Sequence, residues 1–141
     1  MLPGVTKGRV ERPFCILGYG IESVGKTSFA AEFPEPVFLG GERGTDQIDT
    51  SRFKAPKTWA ELIAQVKLLL TEKHEYRSAI FDSLDWIEPL VEDAVCKKYG
   101  VANIDKALGG FGKGPPQMLF VWRELIELCE RLRDERKMNI I

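Results

Sequence analysis

A chain of 141 residues with 44% hydrophobic content is long enough for one ordinary globular domain and short for two, so residues 1–141 are expected to form a single domain. Its formal net charge of −1, from 20 Lys and Arg against 21 Asp and Glu, excludes a global pull toward nucleic acid or membrane; such a partner must be met by a local patch. No apolar run approaches the roughly 20 residues of a membrane span, and the N-terminal MLPGVTKGRVERP lacks the apolar core of a signal peptide, so a cytoplasmic protein without a membrane partner is expected.

Along the chain, strand and helix patterns alternate. Residues 14–17 are a short apolar run followed by glycines and by a helix over 26–32, which must stop before Phe33 because Pro34 and Pro36 cannot continue it. Residues 37–39 predict a second buried strand that runs into the turn-rich GGERGTDQIDTS. Thr58 with Glu61 three residues on forms a capping box, and Leu62, Ile63, Val66, Leu69 and Leu70 then share one helical face. Residues 79–81 are a third apolar strand that ends on Asp82. Ile87, Leu90, Val91, Ala94 and Val95 mark a helix closed near Gly100. After LGGFGKGPP, a long helix carries Trp122, Leu125, Leu128, Cys129 and Leu132 on one side, and residues 138–141 open a further strand. Short strands that are apolar on both faces and alternate with helices predict an α/β fold, a mostly parallel sheet flanked by helices in three layers. Cys15, Cys96 and Cys129 lie inside apolar segments without metal or disulfide spacing and are expected as reduced core residues.

Residues 20–27, GIESVGKT, match G-x-x-x-x-G-K-[ST] between a strand and a helix, the layout of a phosphate-binding loop. A phosphate chain must be wrapped by backbone N–H groups, and Gly20 and Gly25 leave the room that side chains would block. The helix starting near Lys26 turns its free N–H groups and its positive dipole end toward the same phosphates. The expected nucleotide contacts are therefore Gly20, Ile21, Glu22, Ser23, Val24, Gly25, Lys26, Thr27 and Ser28, with ATP as ligand. Lys26 also has a catalytic part, as a point charge on the terminal phosphates, and the hydroxyl of Thr27 ligates Mg2+. Asp82, at the C-terminal end of SAIFD, is the second magnesium partner; Asp85 lies past the strand end and reads as a first-turn helix acid. Hydrolysis needs a group that orients or deprotonates water, and Glu42 in VFLGGERG emerges on the same sheet edge. Glu22, in a loop crowded with phosphate charge, reads as facing solvent or a partner.

Together GIESVGKT, FLGGE and IFDSLDWIEP resemble the RecA-like P-loop ATPase core of the AAA/RecA superfamily, in particular compact phage-type nucleotide-binding proteins, some of which anneal or recombine single-stranded DNA. The resemblance spans about Arg12 to Ile141. It implies Glu42 as the residue that activates water, Asp82 with Ser83 as the pair after the Walker B strand, a homo-oligomer, and a setting in a bacterial or phage-infected cell. It also implies a strand between the phosphate-loop strand and the Asp82 strand, which the sequence only opens at Met138. The expectation is a RecA-like core truncated at its C-terminus, the N-terminal part of a longer chain, with γ-phosphate sensor and arginine finger beyond Ile141. The loop from Lys106 to Lys113 corresponds to one that approaches single-stranded DNA in that family; Lys106 and Lys113 offer phosphate contacts and Phe111 a stacking surface. A plain connection between helices fits that loop equally well. Arg131, Arg133, Arg136 and Lys137, interleaved with acids, read as a solvated face, and His74 has no assigned role. Two alternatives to a DNA-coupled ATPase are a nucleotide-dependent switch with little hydrolysis and a small-molecule kinase; no arginine-rich lid supports the latter.

Overall fold

The computed structural model describes residues 2–41 and 43–141. Four short strands, β1 (Pro36–Leu39), β2 (Ser51–Arg52), β3 (Ser78–Phe81) and β4 (Asn139–Ile140), form a wholly parallel sheet in the order β2-β1-β3-β4. Residues 14–16 run beside β4. The Ile16 N–H donates to the Ile140 carbonyl and the Ile140 N–H to the Phe14 carbonyl, each at 2.8 Å, around a parallel bridge between Cys15 and Ile140. The strand expected over residues 14–17 is thus a single bridge, and β4 lies between it and β3.

Side-chain alternation along the strands divides the core into two layers. Phe38 and Ile80 point to one face, where Ala30 of α1 (Lys26–Ala31) covers them. Val37, Leu39, Ala79 and Ile140 point to the other face, against α2 (Trp59–Thr71), α3 (Leu84–Tyr99) and α4 (Met118–Glu135). Parallel strands need crossovers; α2 supplies the one from β2 to β3, and α3 and α4 the one from β3 to β4. The expected α/β, three-layer arrangement is the one observed. The apolar stripes sit as their spacing implies: Leu62 and Val66 of α2, Ile87 and Val91 of α3 and Leu132 of α4 are fully enclosed.

Local signals account for the helix ends. Thr58 Oγ1 accepts the Glu61 N–H at 3.2 Å, one half of the capping box; the Glu61 carboxylate accepts the Lys57 N–H at 2.7 Å in place of the Thr58 amide. Gly100, at φ 63°, closes α3. Two expectations are corrected. The cysteines are not fully buried core residues: Cys15 is exposed on a segment joined to β4 by a single bridge, Cys96 is half-buried, and Cys129 is half-buried where it packs against the larger core layer. β2 follows no apolar run; it is held because Phe38 O accepts the Phe53 N–H at 2.9 Å. Among the described residues, no helix is long and apolar enough to cross a membrane.

Candidate functional site

The stretch 20–25 links the bridged segment to α1. Gly25 takes φ +100° immediately before Lys26, a conformation that favours glycine, and Ser23 is also left-handed at φ 60°. Among the described residues no side chain caps α1, so the first-turn N–H groups at the loop mouth remain available to an anion. Lys26 Nζ donates to the carbonyls of Gly20 and Ile21, at 2.7 and 3.0 Å, and so spans the loop from inside. Thr27 Oγ1 donates to Asp82 Oδ2 at 2.6 Å, across 55 residues of sequence. Asp82 is only 7% exposed, and its N–H is tied to Leu39 O at 3.0 Å. A buried carboxylate needs compensating donors or cations. Thr27 and Asp82, predicted together as magnesium partners, meet directly, and this hydroxyl and carboxylate are the hard oxygen donors that Mg2+ prefers.

Glu42 lies outside the described residues. The backbone that leads to it is described, and it explains the glycine pair in FLGGE. A Cβ on Gly40, at φ +107°, would stand 3.0 Å from the Asp82 carbonyl oxygen, and one on Gly41, at φ +85°, would stand 2.5 Å from the Ala55 Cβ. The chain leaving β1 therefore runs against the Asp82 backbone at Gly40 and against Ala55 at Gly41, with no room for side chains. In the sequence, the paired glycines of FLGGE are the signal for this close approach.

A cleft of about 950 Å3 opens from Gly20, Gly25 and Lys26 past Asp82 and Asp85 to the Leu119, Trp122 and Ile126 side of α4. Asp85 sits exposed in the first turn of α3, as expected, and Glu22 is exposed on the loop. Burial pushes the Cys129 thiol, which also lines the cleft, up to about 12, with Cys15 and Glu130 adding to the shift.

The loop from Lys106 to Lys113 stands apart from this cleft. Leu108, Gly109, Gly110, Phe111 and Gly112 are all left-handed, with φ of 55°, 83°, 85°, 55° and 72°. Its base is pinned: Tyr99 Oη donates to Gln117 Oε1 at 2.9 Å, and a Cβ on Gly114 would lie 1.7 Å from the Ile104 carbonyl oxygen. Phe111 projects at 96% exposure. The glycines, with Leu108 and Phe111, build a turn of consecutive left-handed residues. Arg131 pairs with Glu135 and Arg133 with Asp134, so that part of the late basic cluster is a solvated, self-paired face. His74 Nε2 lies 2.8 Å from Leu69 O, a local structural contact.

Residues 12–141 match the family described as AAA domain. The chain is 29% identical over 115 residues to the SPbeta prophage-derived uncharacterized protein YorG of Bacillus subtilis (strain 168), a similarity that covers 78% of this chain and 35% of that protein. The aligned part is thus about a third of that relative's length. No solved structure matches significantly.

Proposed function

Because the chain belongs to the AAA domain family, a family of nucleotide-binding ATPase modules, we propose that it is a magnesium-dependent ATPase that hydrolyses ATP on the loop 20–28. The observation that carries this reading is the Thr27–Asp82 contact at 2.6 Å, beside a loop whose lysine is folded toward its own carbonyls. Arriving phosphates offer Lys26 a stronger acceptor than the Gly20 and Ile21 carbonyls, and the ammonium turns to them as a charge-assisted partner. The first-turn N–H groups of α1 bind the same anion. Thr27 Oγ1 and the Asp82 carboxylate would hold Mg2+, which would neutralise charge on the terminal phosphates.

Glu42 is the proposed base that orients the attacking water. Its support is Gly40, which carries the preceding backbone against the Asp82 carbonyl. Glu42→Gln should abolish most turnover while ATP binding persists. Turnover unchanged by that substitution would remove Glu42 from the mechanism, and no turnover in the unmodified protein would leave a nucleotide-dependent switch.

The proposed partner is single-stranded DNA, met by the turn that presents Phe111 between Lys106 and Lys113, with the active form a homo-oligomer. A base can stack on an exposed phenyl ring held in a preformed turn, and the lysines can pair with flanking phosphates. ATPase measured with and without a single-stranded oligonucleotide tests this. Lack of stimulation together with lack of salt-sensitive binding would refute the DNA partner and leave the ATPase reading intact.

A further inference from the structure

The geometry points to Asn139 as a positioning residue for this nucleotide site, resting on the ATPase reading above: its side-chain amide holds the root of the phosphate loop in register with the strand that ends on Asp82. Asn139 Oδ1 accepts the Phe14 N–H at 2.9 Å, and Nδ2 donates to Ser78 Oγ at 3.2 Å and to Arg77 O at 3.4 Å. Ser78, fully buried, donates its own hydroxyl to Pro34 O at 2.7 Å. One chain of hydrogen bonds therefore crosses the beginnings of the phosphate-loop segment, β4, β3 and the approach to β1. The amide orientation follows from its partners, since the Phe14 N–H can only donate and Arg77 O can only accept.

The clip matters because little else sets this register. In most buried strands the choice of face does so, since a one-residue slip moves every apolar side chain to the other side. Here Phe14 is 64% exposed and Leu17 is 74% exposed, and Cys15 is exposed as well, so burial distinguishes the faces weakly. The segment otherwise meets β4 through the two backbone bonds around Cys15 and Ile140. A slip of one residue displaces a strand by about 3.3 Å, more than the whole Thr27–Asp82 separation. Asn139 alone combines the acceptor that takes Phe14 with the donors that grip β3. Alanine offers neither, and leucine fills the space without either bond.

The test compares Asn139→Ala with Val95→Ala, a core truncation in α3 remote from the loop. The first readout needs no nucleotide: hydrogen exchange of the Ile16 amide, which is bonded to Ile140 O. Loss of the clip should speed it about five- to tenfold, the size of one lost hydrogen bond, with less change at the β3-side amides of Phe81 and Asp82. The second readout is the ratio of ATP affinity with and without Mg2+, which depends on how Thr27 faces Asp82. That ratio should fall several-fold in Asn139→Ala and stay at the unmodified value in Val95→Ala, although both lower Tm. Unchanged Ile16 exchange in Asn139→Ala, or equal effects of Val95→Ala on both readouts, overturns the inference. Should Asn139→Ala not fold, Asn139→Leu fills the space without either bond, and an unshifted Ile16 exchange there overturns it equally. If the unmodified protein shows no Mg2+-sensitive ATP affinity, the ATPase reading fails, and the clip is still judged on Ile16 exchange.

Discussion

Thr27→Val tests the centre of the site most directly, because it keeps the β-branched shape in the first turn of α1 and removes only the hydroxyl that donates to Asp82. At 2.6 Å that bond has the length of an O–H donor on an ionised carboxylate. Hydrogen bonds to charged groups contribute about 1.5–3 kcal/mol, and the partly buried position suggests about 2 kcal/mol here. For a chain of this size that corresponds to a Tm lowered by about 6 °C. The sharper quantity is the coupling with Asp82→Ala. Once the hydroxyl is gone, the 7%-exposed carboxylate is a buried charge short of a partner, so removing it as well should cost little or even restore stability. Urea unfolding of the two single variants and the double variant, followed by fluorescence of the three tryptophans, should give a coupling of about 1.5 kcal/mol or more. Additive losses, with coupling within about 0.5 kcal/mol of zero, would refute the Thr27–Asp82 contact and the magnesium assignment built on it.

Gly41→Ala puts a Cβ 2.5 Å from that of Ala55 at φ +85°, and should lower stability by about 2 kcal/mol or more; a thermal melt checks this, with Ala55→Gly giving partial rescue because the Ala55 Cα still lies 2.9 Å from the new Cβ. Iodoacetamide at pH 8 should label exposed Cys15 well before Cys129, whose thiol is neutral until the pH nears about 12; mass spectrometry of timed digests reads the order. The same raised value makes unfolding release a proton above pH 9.0, so the Cys129 contribution to stability is complete below that pH and is lost as pH rises toward about 12, a slope that Cys129→Ala should remove. Phe111→Ala should weaken single-strand binding by about 1–3 kcal/mol with the salt dependence unchanged, whereas Lys113→Ala should reduce the slope of log affinity against log salt by about 0.7.

The parts of the fold that were legible in the sequence are those where chemistry demands particular residues at fixed spacing. GIESVGKT reads as a phosphate loop because few other needs place two glycines, a lysine and a hydroxyl in that order between a strand and a helix. SAIFD was legible because a carboxylate that ends a buried run sits on the ligand-binding edge of a parallel sheet. The segment from 108 to 112 was not, because a glycine-rich stretch is compatible both with motion and with a run of left-handed residues, and composition does not separate the two. Nor was the exposure of Cys15. An apolar run implies burial on both faces, but the segment has β4 on one side and an open cleft before α4, so neighbours 100 residues away decide its environment.

Asn139 shows the same limit from the other direction. In KMNII it reads as a polar interruption at the opening of a strand, and every partner that gives it meaning is distant, with Phe14 125 residues away and Ser78 61. A local motif can specify which atoms face a phosphate, since those atoms belong to one loop and one helix. It cannot specify where that loop stands relative to Asp82, since that distance is set across the sheet by a residue whose sequence neighbours are all apolar or basic. The proposed phosphate loop and its aspartate are therefore readable as chemistry, while the 2.6 Å contact that joins Thr27 to Asp82 rests on strand register.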